Sequence, residues 1–233
     1  NIFIEEQKRN SLIQNFEKEK VEIQLLALSS QMNPHFIFNC MNSIQHSIIT
    51  NDTEKASTML HNFASLIRMV LENSSQPDIT LENEIKLLDT YLKLEQERIN
   101  NTFEYAISVD KDISTDFIKI PIMMLQPFLE NAVWHGFKFI NYKGKINVHF
   151  TMAGQLIRCE ITDNGIGRDK AAEYKLRYRI TENKSIAIKI IENRIDLLNQ
   201  TLNEQKASLT IEDNLNNEQQ IIGTKVIIFL PTT

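Results

Sequence analysis

His35 follows a proline in the run Asn33-Pro34-His35-Phe36, and about 130 residues later comes the glycine-punctuated acidic turn Asp163-Asn164-Gly165-Ile166-Gly167. A neutral imidazole, with a reference pKa of about 6.5, is available as a nucleophile at cellular pH. Pro34 lacks a backbone donor and restrains Asn33, so a break, a kink or a new helix start is expected there. A carboxylate fixed at a strand end can accept a hydrogen bond from an exocyclic amine such as adenine's, and glycines let the backbone pass close to a ligand. Alone, the first run also reads as a packed histidine and the second as an ordinary turn. Together they suggest a chain that phosphorylates itself.

A third constellation lies in Leu125-Gln126-Pro127-Phe128-Leu129-Glu130-Asn131-Ala132-Val133-Trp134-His135-Gly136. Asn131 and His135 are four apart and share a helix face, with Glu130 one residue aside. An Asn amide oxygen beside carboxylate and phosphate oxygens suits Mg²⁺, which takes a few oxygen ligands plus waters. The same pattern also describes an amphipathic helix with a polar edge. Downstream, Arg168, Lys170, Lys175, Arg177, Arg179 and Lys184 could neutralise a triphosphate or form a solvated, mobile surface segment. His46 and His61 lack an acidic or Cys ligand set, so zinc is not indicated, and His149 reads as structural within a strand.

These residues need elements to position them. The first part lacks glycine and is helical in pattern, whereas all six glycines fall after residue 101 among alternating apolar runs. That shift places a domain boundary near 101, with a linker helix or short coiled coil over 1–24 and a helical part over 25–100. Helices are expected over 35–49, 53–72 (capped by Asn51 or Asp52) and from the Thr80 cap to about Ile99. Strands are expected over 103–109, 118–120, 145–152, 155–162, 208–212 and 224–230, with Ala153-Gly154 as a hairpin turn. Pro127 and Gly136 bracket one helix, and Ser185 to Leu202 forms another. The expected fold class is α+β: a helical N-terminal part, then an α/β sandwich with helices on one face of a mixed sheet.

The net charge of −5 argues against a dedicated nucleic-acid binder. Cys40 and Cys159 lie far apart and read as reduced and buried. No apolar run reaches the length of a membrane span. The first residue is not Met, and a membrane segment upstream is compatible with the sequence.

At this point a family resemblance enters. Gln31-Met32-Asn33-Pro34-His35-Phe36-Ile37-Phe38-Asn39-Cys40-Met41-Asn42-Ser43-Ile44 resembles the phosphoacceptor segment of LytS-like sensor histidine kinases. Tyr91-Leu92-Lys93-Leu94-Glu95-Gln96-Glu97-Arg98 resembles their second helical signature. Leu125 through Gly136 is similar to the N box, Asp163 through Gly167 to the first glycine box, and Gly223-Thr224-Lys225-Val226 to the closing strand. The resemblance runs from about Leu25 to Pro231 in the right order. It implies a dimerisation and phosphoacceptor part (25–100) followed by a Bergerat-type ATP-binding domain (101–233).

By that resemblance His35 is the phosphorylated residue, Asn131 the Mg²⁺ ligand and Asp163 the adenine-reading carboxylate. Gly165 and Gly167 shape the pocket, Thr224 supports the adenine side, and His135 shares the nucleotide-facing helix. Glu130 matches the acid beside the metal ligand, a base or water-positioning group. The implied reaction is attack of His35 on the γ-phosphate of ATP, then transfer to an aspartate of a response regulator. The family also implies a homodimer and an inner-membrane sensor upstream of this cytoplasmic part. Two positions depart from the pattern: Ala187, in Ser185-Ile186-Ala187-Ile188, stands where the second glycine box has glycine, and Trp134 stands where relatives often have Lys. If position 187 needs positive φ, alanine costs roughly 1 kcal/mol there. The Ala187 departure keeps open a non-catalytic, kinase-like dimer with weak or no ATP binding. A clamp ATPase of the same superfamily fits less well, given the His35 segment.

Overall fold

The computed structural model describes residues 34–73, 76, 78–177, 184–201, 206–216 and 218–232. The linker helix expected over 1–24 lies outside them. The chain divides into two compact units, residues 1–76 and 77–233.

The first unit is a helical hairpin of α1 (Pro34–Ile49) and α2 (Thr53–Asn73). Its turn uses two neighbouring residues differently. Asn51 takes a left-handed φ of 62°, a conformation Asn tolerates, just past the end of α1. Asp52 caps α2, its Oδ1 accepting the Lys55 N–H at 3.2 Å. Phe36, Cys40, Ile44 and Ser47 form one buried stripe of α1, and Met59, Leu66 and Val70 are buried on α2.

The second unit begins with β1 (Asp78–Thr80) and α3 (Leu81–Arg98). Thr80 caps α3 as expected, accepting the Asn83 N–H at 3.3 Å. Helix α3 buries Leu81, Leu87, Leu88, Tyr91, Leu92 and Leu94 in this unit's core. The division therefore falls between Gln76 and Pro77, earlier than the glycine-based boundary near 101. Glycine usage marks tight backbone approaches, not the packing of α3, which explains the difference.

The elements that follow are β2 (Phe103–Val109), β3 (Lys119–Pro121) and α4 (Gln126–Asn131), which runs into a π-helical turn (Ala132–Gly136). Next come β4 (Gly144–Ala153), β5 (Leu156–Asp163), α5 (Arg168–Arg177), α6 (Lys184–Thr201), β6 (Ser208–Leu215) and β7 (Ile221–Pro231). Helix α5 occupies part of the segment read as solvated surface. β1 pairs with β3 in a two-stranded ribbon. The main sheet has the order β2-β4-β5-β7-β6, with β2 and β4 parallel and the other pairs antiparallel. The parallel pair requires a long crossover, and that crossover holds β3, α4 and the π turn.

One sheet face is apolar and buried through Ile146, Val148, Phe150, Cys159, Ile161 and Ile228. The other carries charges: Lys145 pairs with Glu104 and Lys225 with Glu160 across strands, and Arg158 with Glu160 along β5. A sheet with one packed and one solvated face is the mixed α+β architecture the alternation implied. Both cysteines are free and buried. Among the described residues no helix is long and apolar enough to cross a membrane.

Candidate functional site

A pocket opens between the end of β5, the facing strand β7 and the α4–π-turn segment. Its apolar wall comes from Phe128, Ala132, Ile161, Ile188, Ile211 and Val226, and its polar groups from Asn131, His135, Asp163, Arg168 and Thr224. Most walls of such a site are apolar and a few placed polar groups set the orientation. A flat heterocycle bearing an amine suits the apolar slot closed by a carboxylate.

Asp163 organises the site. It is buried (7% exposed), the last residue of β5. Its Oδ1 accepts the N–H of Gly165 at 2.8 Å and of Thr224 at 3.1 Å. Its carbonyl accepts the Asn214 side-chain amide at 3.0 Å. Two backbone donors on one carboxylate oxygen fix its plane. The carboxylate is thus set in place by the fold before any ligand arrives.

Glycines make the approach possible. A Cβ on Gly165 would lie 2.6 Å from the Gly136 Cα, so these two backbones pack in contact. The Gly136 carbonyl accepts the Ile166 N–H at 3.1 Å, tying the π turn to the acidic turn. A Cβ on Gly223 would fall 1.9 Å from the Asp163 carbonyl oxygen. Gly167 has φ +78°, a left-handed conformation that favours glycine, where the chain turns from β5 into α5.

The structure therefore brings Asn131, His135, Asp163, Gly167 and Thr224 to one pocket, with Gly165 directly behind its wall. Glu130 is not among the lining residues; its Oε1 accepts from Gln126 Nε2 at 3.1 Å. At the second glycine box it is Ile188, not Ala187, that lines the pocket. Arg168, read as a possible triphosphate cation, is held by Asp213 (Nε to Oδ1, 3.0 Å) and by the Ile211 carbonyl. Of the other candidate cations, Arg179 lies outside the described residues. His35 is the second residue of α1, in the other unit.

Sequence reasoning gave Gly136 and Gly223 no site role and missed the apolar wall. A glycine ending a helix and another inside a strand were the available signals. The π turn was also unforeseen. Its 1→6 bond, Phe137 N–H to the Ala132 carbonyl at 3.1 Å, widens the helix where Asn131 and His135 meet the pocket.

Away from the pocket, Glu84 of α3 is fully buried. Its Oε2 accepts the N–H of Met123 at 3.4 Å, and Met123 itself has a strained φ of 56°. Burial pushes the Glu84 carboxyl up to about 7, against the lowering effects of the Met123 bond and of Arg194.

Comparison with known proteins meets this geometry at both ends. Residues 23–103 match the family described as "Histidine kinase". The chain is 27% identical over 208 residues to the sensor histidine kinase YpdA of Escherichia coli, covering 89% of this chain and 34% of that protein. The sensor protein LytS of Bacillus cereus is 28% identical over 214 residues, covering 90% of this chain and 34% of that one. The chain is thus similar to LytS-like sensor histidine kinases over most of its own length. It spans about a third of the length of these curated relatives. Among solved structures, the histidine kinase domain of a blue-light activated histidine kinase from Erythrobacter litoralis matches 91% of this chain and 95% of its own, at 14% identity and TM-score 0.48. That score is low, and the fold assignment rests on the sheet order itself. The matched segment from 23 to 103 holds the His35 run and α3, while the pocket lies beyond it.

Proposed function

We propose that this chain is the ATP-dependent autokinase part of a two-component sensor, phosphorylating His35 and passing the phosphoryl group to an aspartate of a response regulator. The observation that carries the reading is the Asp163 carboxylate, locked by Gly165 and Thr224 amides at the end of an apolar slot. That arrangement suits adenine: its ring fills the slot and its exocyclic amine donates to the carboxylate. Thr224 flanks the same end. The phosphates then extend toward Asn131 and His135 on the helix side.

Asn131 would hold Mg²⁺ through its amide oxygen, together with phosphate oxygens and waters. When bound, the metal neutralises charge on the transferring phosphoryl group. A ring nitrogen of His35 forms the new N–P bond as the bond from the γ-phosphorus to the bridging oxygen breaks, and ADP leaves with that electron pair. Glu130 takes the ring proton or orients the imidazole. Little further chemistry is needed, because phosphoryl transfer depends mainly on positioning and charge.

The partner expected on family grounds is a second copy of this chain, pairing helices into a four-helix bundle. Helix α1 supports it with a second apolar stripe, Phe38, Met41, Ile48 and Ile49, exposed opposite its buried face. A sensor segment upstream, in the membrane, belongs to the same reading, with this part on the cytoplasmic side.

A second reading, a kinase-like module that binds nucleotide weakly or not at all, is favoured by Ile188. Its branched side chain stands in the pocket wall beside Ala187, in the stretch corresponding to the second glycine box.

Incubation with γ-labelled ATP and Mg²⁺ separates the two. Autokinase activity gives acid-labile, alkali-stable label on the wild type and none on His35→Gln. Asp163→Asn keeps an acceptor for the two backbone amides but loses the charge, so it should weaken nucleotide binding about 10- to 100-fold while leaving the fold intact. Label that persists in His35→Gln sinks the assignment of the acceptor. Absence of label, with no thermal shift by MgATP, leaves the non-catalytic reading standing.

A further inference from the structure

Helix α3 presents Tyr91, Glu95 and Arg98 at positions i, i+4 and i+7, hence on one face. The Glu95 carboxylate is fully buried and grips Arg98 through both oxygens: Nε lies 3.2 Å from Oε1 and 3.1 Å from Oε2, and Nη2 lies 2.6 Å from Oε2. The same guanidinium lies over the indole of Trp134, with Cζ 4.3 Å from the ring centroid. Tyr91, fully buried, lies beside Trp134. A guanidinium paired in its plane and stacked on its face is held in both directions, which an ammonium cannot reproduce.

Trp134 is the middle residue of the π turn; His135, next to it on that turn, and Asn131, the last residue of α4 before the turn, line the pocket. On the pocket side the turn is pinned by the Gly136–Gly165 backbone contact and the Gly136 carbonyl bond to Ile166. On the far side it is gripped through Trp134.

We propose that Arg98 is a positioning residue: clamped by Glu95 and stacked on Trp134, it sets the π turn and thereby the placement of Asn131 and His135 toward the nucleotide. The inference rests on the nucleotide site proposed above. It also gives Trp134 a role: the indole serves as a handle for α3, where relatives often have a Lys.

The test compares the wild-type chain with Arg98→Lys and Arg98→Gln. Hydrogen exchange reads the turn without any ligand. In both variants the amides of residues 132–137 should exchange at least tenfold faster, while those of β4 and β5 stay as they are. Trp134 is the sole tryptophan, so its fluorescence should shift in the variants as well. Titration with MgATP, by calorimetry, should show about tenfold weaker binding in Arg98→Lys than in wild type. Unchanged exchange at the turn overturns the proposal, and so does faster exchange with undiminished affinity. Equal loss of protection in the sheet reduces Arg98 to a structural role and also overturns it. Should the wild type bind no nucleotide, the nucleotide reading fails by itself, and exchange at the turn alone decides whether Arg98 sets its geometry.

Discussion

The helical hairpin and the sheet unit treat apolar surface in opposite ways. Helix α1 buries one stripe and leaves another in water, with Ile49 at 74% and Phe38 at 65% exposed. A helix that is apolar on two faces is one whose second face is meant to be covered. The sheet unit packs one face of its strands, and large exposed apolar residues such as Phe117, Met152 and Leu197 fall on different elements. It opens at the pocket lined by Asp163. On the proposed reading, the hairpin is completed by a macromolecule and the sheet unit by a small molecule.

The largest expected effect is in the sheet unit. Gly223→Ala places a methyl group 1.9 Å from the Asp163 carbonyl oxygen, where the backbone of two strands would have to part. A loss of about 3 kcal/mol or more in urea denaturation is expected, together with loss of nucleotide binding. A variant of near wild-type stability would break the claim that this unit is closed to within a methyl group.

Glu84 gives the next effect, and its sign is fixed by burial. The carboxyl titrates near 4.5 when unfolded and near 7 when folded, so the native state holds the proton more tightly across that window. Its contribution is fully present below about pH 4.5 and is lost as pH rises through about 7. At about 1.36 kcal/mol per unit this makes about 3 kcal/mol. Glu84→Gln, which cannot ionise, should be more stable than wild type at pH 8, and the gap should close toward pH 5. Thermal melts at several pH values check this; parallel curves for the two proteins would contradict it.

Arg168→Gln should cost only about 0.5–1 kcal/mol, since its ion pair with Asp213 is half-exposed. Nucleotide affinity should change by less than about threefold, because this cation is already engaged. A loss of affinity tenfold or greater would return Arg168 to the phosphate site.

The smallest effect on stability is expected on the hairpin. Met41→Lys with Ile48→Lys exchanges exposed residues, so each should shift stability by no more than about 0.5 kcal/mol. Light scattering should nonetheless show a dimer turning into a monomer. Retention of the dimer would shift the interface to another surface.

What the sequence disclosed followed from local physics. The Thr80 and Asp52 caps, the β4–β5 hairpin, and the convergence of Asn131, His135, Asp163 and Thr224 on one pocket were legible because caps, alternation and motif order are short-range signals. The hidden parts depend on distance or on backbone detail. Arg168 meets Asp213 from 45 residues away, and no local pattern marks that pairing. The π turn differs from an ordinary helix by one hydrogen-bond step, which leaves no trace in composition. The unit boundary at Gln76 escaped because α3 looks like the helices before it and packs with the strands after it.

The cross-strand charge pattern has a consequence for how the pocket is assembled. Lys225 stands opposite Thr162, between Glu160 and Glu212 of the two neighbouring strands. Only in that register does the Thr224 amide arrive at Asp163. A slip of one residue would turn Lys225 toward the core, and a slip of two would take it from its place opposite Glu212. The pocket thus works as a gauge of strand alignment: a mispaired sheet has no place for the proposed nucleotide, so binding would reward only the correctly folded chain.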